Sequence, residues 1–171
     1  MNQTNILKKT GSKIRPIDAG SCNEIDLVAS RMRLTLIEVL GEEKGTNLYS
    51  LDWLKQRVLF HLDPSQSTGQ VFVAESSKTE IIGHFIVRID CDDSGKEIGL
   101  GSTIYVAPEY RKQGVATTLL STAEAWMLDH GMTEAVYYTA TNNAKLINLY
   151  RRQGYEIVEE ASEMVKLSKQ L

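Results

Sequence analysis

The chain has 171 residues, 42% of them hydrophobic, with a formal net charge of −3. That suits a single domain over residues 1–171 with a buried core, and it leaves no basic field for bulk nucleic-acid binding. The two cysteines, Cys22 and Cys91, form no Cys-x-x-Cys pair, and the three histidines are scattered, so no metal site is expected. Two reduced thiols are expected, with one disulfide as the alternative. No stretch has the length of a signal peptide or a membrane span, so the expectation is a cytoplasmic protein without a membrane partner.

Residues 1–12 are expected as a flexible tail, and 13–18 read as a short strand. Cys22–Leu40 carries apolar residues at Ile25, Val28, Ala29, Met32, Leu36 and Val39, a helical period. Residues 41–50 are polar and glycine-marked, and read as a loop. Leu51–Leu62 reads as a second helix, capped by Ser50 or Asp52, with Trp53 expected in the core or in helix packing. The period then changes. Residues 70–75, 81–89 and Glu97–Val106 are rich in β-branched and aromatic residues and read as a three-strand meander. A helix is expected over 115–130, with Val115, Leu119, Leu120, Ala123, Trp126 and Met127 in one stripe. Residues 135–140 read as a strand, and a short helix capped by Thr141 or Asn142 runs towards Gly154. Two weaker strands follow in 155–171. The order β-α-α-β-β-β-α-β-α-β-β predicts an α+β fold, a mixed and largely antiparallel sheet flanked by helices.

The turn between the third meander strand and the next helix carries the chemistry. Arg111, Lys112, Gln113, Gly114, Val115, Ala116 and Thr117 form a basic turn with one glycine leading into a helix. A helix start offers unpaired N–H groups and the positive end of the helix dipole, which together suit a diphosphate. Alone, this turn is equally an ordinary strand-to-helix connection. It has neither the Gly-Lys-Ser/Thr of a nucleotide P-loop nor the three-glycine dinucleotide fingerprint. A second constellation sharpens it. Asn143 and Tyr150 are seven residues apart, so on a helix they share a face about 10 Å apart, with Leu146 between them. An amide-bearing ligand arm can lie along such a face. If strands 97–106 and 135–140 are adjacent and diverge, that arm can also complete the unpaired edge of the first.

The turn 111–116, together with Asn143, Leu146, Tyr150, Gly154 and Tyr155, resembles the Gcn5-related N-acetyltransferase (GNAT) superfamily, and the match runs from about Gln70 to Tyr155. The resemblance implies an acetyl-CoA cosubstrate and no metal. It implies that the N–H groups of Arg111, Lys112, Gln113, Gly114, Val115 and Ala116 hold the pyrophosphate, helped by the Thr117 hydroxyl. The backbone of Tyr105 and Val106 would pair with the pantetheine amides, and Asn143 would bind the same arm. Tyr150 would be the general acid that protonates the departing thiolate. Leu146 stands where the family often has alanine.

The expected reaction is direct attack of an amine on the thioester in a ternary complex, with an oxyanion donor at the bulged end of strand 97–106. The acceptor is expected to be a small-molecule amine. A protein N-terminus or lysine is the alternative acceptor, and a non-catalytic acyl-CoA-binding module is the alternative to an enzyme. Glu38, Glu42 and Glu43 suggest a cationic amine, though a glutamate run is also an ordinary solvated face. A homodimer is compatible with the sequence, which marks no interface. His84 reads as a strand histidine with a satisfied partner.

Overall fold

The computed structural model describes residues 11–171, so the expected tail lies outside the described residues except for Gly11 and Ser12. The elements are β1 (Lys13–Pro16), α1 (Cys22–Leu40), α2 (Glu42–Asn47), α3 (Leu51–Leu62), β2 (Gly69–Glu75), β3 (Ile81–Cys91), β4 (Glu97–Val106), a 3-10 turn (Pro108–Tyr110), α4 (Val115–Asp129), β5 (Glu134–Ala140), α5 (Ala144–Arg152), β6 (Glu156–Glu160) and β7 (Met164–Gln170). The seven strands form one sheet in the order β1-β2-β3-β4-β5-β7-β6. Every pairing is antiparallel except β4 with β5. This is the expected mixed α+β architecture.

Strand alternation sends apolar side chains to both faces. Phe72, Phe85, Val87, Ile104 and Val106 meet Val115, Leu119, Leu120, Ala123 and Met127 of α4, and Tyr150 joins this core from α5. On the opposite face Val71, Val73 and Ile86 pack against Ile25, Val28, Ala29 and Met32 of α1 and Leu54 and Val58 of α3. The α1 residues recur at three and four positions, which is why this stretch folds as a helix with one buried stripe. Its first turn is fixed by Ser21, whose hydroxyl accepts from Glu24 N. Ser50 caps α3 in the same way by accepting from Trp53 N at 3.0 Å.

The stretch 41–50 is not all loop, because α2 occupies Glu42–Asn47. Its polar sequence shows no apolar stripe. It is held by a close backbone approach, since a Cβ on Gly45 would lie 2.5 Å from Ile37 Cα and N. Trp53 is not a core residue either: it is 45% exposed and stacks on Tyr49 at 4.1 Å. Cys22 and Cys91 are free and exposed.

Two irregularities of β4 prepare the site. Opposite β3, Ile86 pairs with Thr103 but Val87 pairs with Gly101, so Ser102 is an extra, bulged residue. Pairing of β4 with β5 covers only Gly99–Ala135, Leu100–Val136 and Gly101–Tyr137. The bulge and the end of this pairing coincide. Beyond Gly101 the two strands part, and residues 102–106 have no strand partner on the β5 side among the described residues.

Candidate functional site

The parting of β4 from β5 opens a groove of about 610 Å³. Ile104, Tyr105 and Val106 form one wall and Asn142, Asn143, Lys145, Leu146 and Leu149 the other. Arg111 and Ala116 lie at the α4 end, while Thr35, Glu38 and Val39 of α1 close it from the opposite face of the sheet.

At the α4 end the chain turns sharply into the helix. Gly114 caps the helix in the left-handed region, φ 86° and ψ 4°, a conformation glycine adopts without a Cβ penalty. No side chain caps this helix start. The N–H groups of residues 113–117 have no hydrogen-bond partner among the described residues. Val115 turns its side chain into the core, Lys112 and Gln113 are exposed, and Thr117 is half-buried. The turn thus presents bare N–H donors at a helix start.

The Arg111 side chain is committed elsewhere. Its Nε donates to Val106 O at 2.7 Å and its Nη2 pairs with Glu38 Oε1 at 2.7 Å, strapping the turn to α1 across the groove. Glu38, one of the acidic residues expected to attract a cationic acceptor, is thereby neutralised. Glu42 and Glu43 sit in the first turn of α2.

Strand parity corrects one assignment. Ala107 N donates to Ile82 O at 2.8 Å, so residues 107 and 105 turn their backbone groups to β3. The Tyr105 N–H and C=O are spent inside the sheet. Ile104 and Val106 turn theirs to the open edge, and of these the Val106 carbonyl already accepts from Arg111. Tyr105 contributes its ring instead. It stacks on His84 at 5.9 Å, with the Arg31 and Arg111 guanidinium carbons 5.3 Å and 5.8 Å from its centroid.

On the far wall Asn143, not Thr141 or Asn142, is the helix cap. Its Oδ1 accepts from Leu146 N at 3.4 Å and its Nδ2 donates to Thr139 Oγ1 at 3.1 Å, while the residue still lines the groove. Tyr150 lies one layer deeper, behind Leu146 and Leu149. It is fully buried, stacked on Tyr137 at 4.5 Å and edge-on to Tyr155 at 4.8 Å. Its hydroxyl has no hydrogen-bond partner among the described residues. Burial, reinforced by the neighbouring phenols, pushes its pKa well above the usual value of 10, so the hydroxyl stays protonated.

Two buried histidines flank the α1 side of the sheet. His61 Nδ1 donates to Arg57 O at 2.7 Å, which leaves Nε2 to accept from Arg88 Nη1 at 3.2 Å. His84 Nε2 lies 2.9 Å from Thr103 Oγ1, and its Nδ1 is unpartnered, so only one of its nitrogens is satisfied. Burial lowers His61 to about 4 and His84 to about 3, and both are neutral. No cluster of three or more His, Cys, Asp or Glu that could hold a metal occurs among the described residues. No helix there is long and apolar enough to cross a membrane.

Sequence reasoning missed Ile104, whose role is a matter of strand parity, and Thr35 of α1, and it read Glu38 as an attractor of a cationic acceptor, not as the partner of Arg111. Thr35 had a signal. With Arg31 and Glu38 it forms a row at spacings of four and three residues beside the buried stripe of the same helix.

The acetyltransferase (GNAT) family model matches residues 36–155. Among solved structures, the PaiA N-acetyltransferase from Thermoplasma acidophilum in complex with coenzyme A superposes with a TM-score of 0.74 at 17% identity, covering 94% of this chain and 99% of that one. A chain of the NatC complex bound to Gag peptide and CoA gives 0.73 at 18% identity, over 94% and 98%. A GNAT family acetyltransferase from Elizabethkingia anophelis with acetyl-CoA bound gives 0.63 at 17% identity, over 94% and 98%. At these identities the superpositions speak for the fold. No curated protein matches the chain in sequence.

Proposed function

Since the chain belongs to the acetyltransferase (GNAT) family, we propose that it moves an acetyl group from acetyl-CoA to the primary amine of a small molecule. One observation carries this reading: the bare helix start of α4 and the unpaired edge of β4 open into the same groove. The residues fit the group. The N–H groups of 113–117 suit the pyrophosphate, with Lys112 adding charge at the exposed turn. The backbone groups of Ile104 and the N–H of Val106 suit the amides of the pantetheine arm, as an added strand would. Asn143 faces that arm from the other wall.

Acetyl-CoA supplies a thioester, an acyl carbon activated for attack. The chain's part is to place the acceptor nitrogen against that carbon, which removes much of the entropic barrier. An N–H of the free β4 edge can receive the charge that develops on the carbonyl oxygen. As the N–C bond forms and the C–S bond breaks, the Tyr150 phenol would give its proton to the departing sulfur, and the amine's surplus proton, carried through water, would restore the phenol. A buried hydroxyl without a partner supports this assignment, because such a group carries a desolvation cost of about 1–3 kcal/mol that a reacting partner would relieve.

Thiol release from acetyl-CoA, followed with a panel of small amines and of peptides bearing free N-termini or lysines, tests the reading. Turnover of small amines at rates well above those of the peptides is expected. A protein that binds CoA yet releases no thiol with any acceptor would be a binding module, and preference for peptides would move the acceptor to protein.

A further inference from the structure

The α1 and α3 face of the sheet carries a polar band that acetyl transfer as described leaves unused. The Ser102 bulge sets two consecutive hydroxyls to work there. Ser102 Oγ accepts from Arg88 Nη1 at 3.1 Å, and Thr103 Oγ1 lies 2.9 Å from His84 Nε2. His84 stacks on Tyr105, and Arg31 stands over the same ring at 5.3 Å. The band thus runs up to a wall of the groove, because Tyr105 lines it.

Its cations outnumber its anions. Arg88 has Asp90 at 3.0 Å, but neither Arg31 nor Arg57 has a carboxylate within 4.0 Å among the described residues. Arg31 Nη1 is buried with no hydrogen-bond partner. A guanidinium does not lose its proton, and Arg31, half-buried without an ion pair, has only the Tyr105 ring and the field of Glu109 to offset its desolvation. On α1, Asp26 is held by Lys55 and Glu38 by Arg111, and Glu109 acts on Arg31 only from beyond ion-pair distance. A planar fork of N–H donors beside an aromatic wall is the geometry that binds carboxylates.

We propose that the acceptor amine carries a carboxylate, and that Arg31 binds this group beside Tyr105 at the groove wall. The inference rests on the acetyl-transfer reading of the same groove. It makes the substrate an amino acid or a related amine-carboxylate, not a polyamine.

The test compares matched pairs in the thiol-release assay: histidine with histamine, tyrosine with tyramine, arginine with agmatine and lysine with cadaverine, with β-alanine, 4-aminobutyrate and spermidine added. In at least one pair the carboxylate member is expected to show a kcat/KM about tenfold or more above its partner. Arg31→Gln should raise the KM for that acceptor by about 10–100-fold, as loss of a charge-assisted pair would. The KM for acetyl-CoA should stay within about twofold, and Arg31→Lys should fall between. Preference for the decarboxylated amines or spermidine overturns the proposal, as does an unchanged acceptor KM in Arg31→Gln. Should Arg31→Gln not fold, Arg31→Lys decides, with an unchanged KM counting against the site. Should no amine be turned over, the acetyl-transfer reading fails, and calorimetric titration of the wild-type chain with the same amino acids in the presence of CoA decides the carboxylate site. Saturable binding lost in Arg31→Lys then supports it, and absence of binding removes it.

Discussion

Tyr150 holds two properties in tension. Its ring is a core element between Tyr137 and Tyr155, while its hydroxyl is a buried donor with nothing to donate to. Phenylalanine at this position keeps the stacking and deletes the orphan. Tyr150→Phe is therefore expected to be as stable as the parent chain or more so, by up to about 1 kcal/mol. If the phenol is the acid, kcat should fall by about 10²–10⁴ in the same variant. Urea unfolding and steady-state kinetics on one preparation separate the two effects, and a kcat that survives the change would remove Tyr150 from the mechanism. The spacing of Asn143 and Tyr150 was legible in the sequence. What was not legible is depth: a seven-residue interval aligns the cap Asn143 with Tyr150 of α5 but does not say that Leu146 and Leu149 line the groove while the phenol is fully buried.

Among the elements, those with a strong period were read to within a residue or two, because burial of one stripe dictates both the helix and its limits. Cys22–Leu40, Leu51–Leu62 and Glu97–Val106 came out with the same bounds in the structure. The failures share a cause, which is that tertiary contacts decide them. The helix α2 has no apolar face and exists through the Gly45–Ile37 backbone contact. Gly45→Ala improves intrinsic helix propensity by about 1 kcal/mol, yet its methyl would meet Ile37 backbone atoms at 2.5 Å. A net destabilisation of about 1–3 kcal/mol is expected, read as a lowered urea midpoint, and a stabilised variant would show that α1 and α2 separate freely. A bulge in β4 was expected, but its position at Ser102 is invisible to pattern, since Gly99, Leu100, Gly101, Ser102 and Thr103 show no alternation that an extra residue could disturb. That is why Tyr105 was paired with the ligand and Ile104 was overlooked.

At the scale of the whole molecule, His61 and His84 tie stability to pH. Both are buried neutral, with pKa values of about 4 and about 3 against 6.5 when exposed. A base whose folded pKa is depressed leaves stability intact above its unfolded value. Stability is then lost as pH falls, because the unfolded chain takes up protons that the folded one refuses. Between pH 7 and pH 5 the two residues together should lower unfolding free energy by about 3–4 kcal/mol. Urea titrations at the two pH values measure this. His61→Gln should abolish about half of the difference, and an equal slope in that variant would assign the acid sensitivity to other groups.

The pairing of β4 with β5 over only three residues has a mechanical consequence. Strands β1 to β4 and β5 to β7 are two leaves stitched by a short seam, while α4 underlies both through a continuous core and the Lys169–Glu124 pair. Past the last stitch the leaves are joined only through side chains and that helix. A strand-like ligand lying there would lengthen the seam, and the expected consequence is a sheet stiffened beyond the residues the ligand touches.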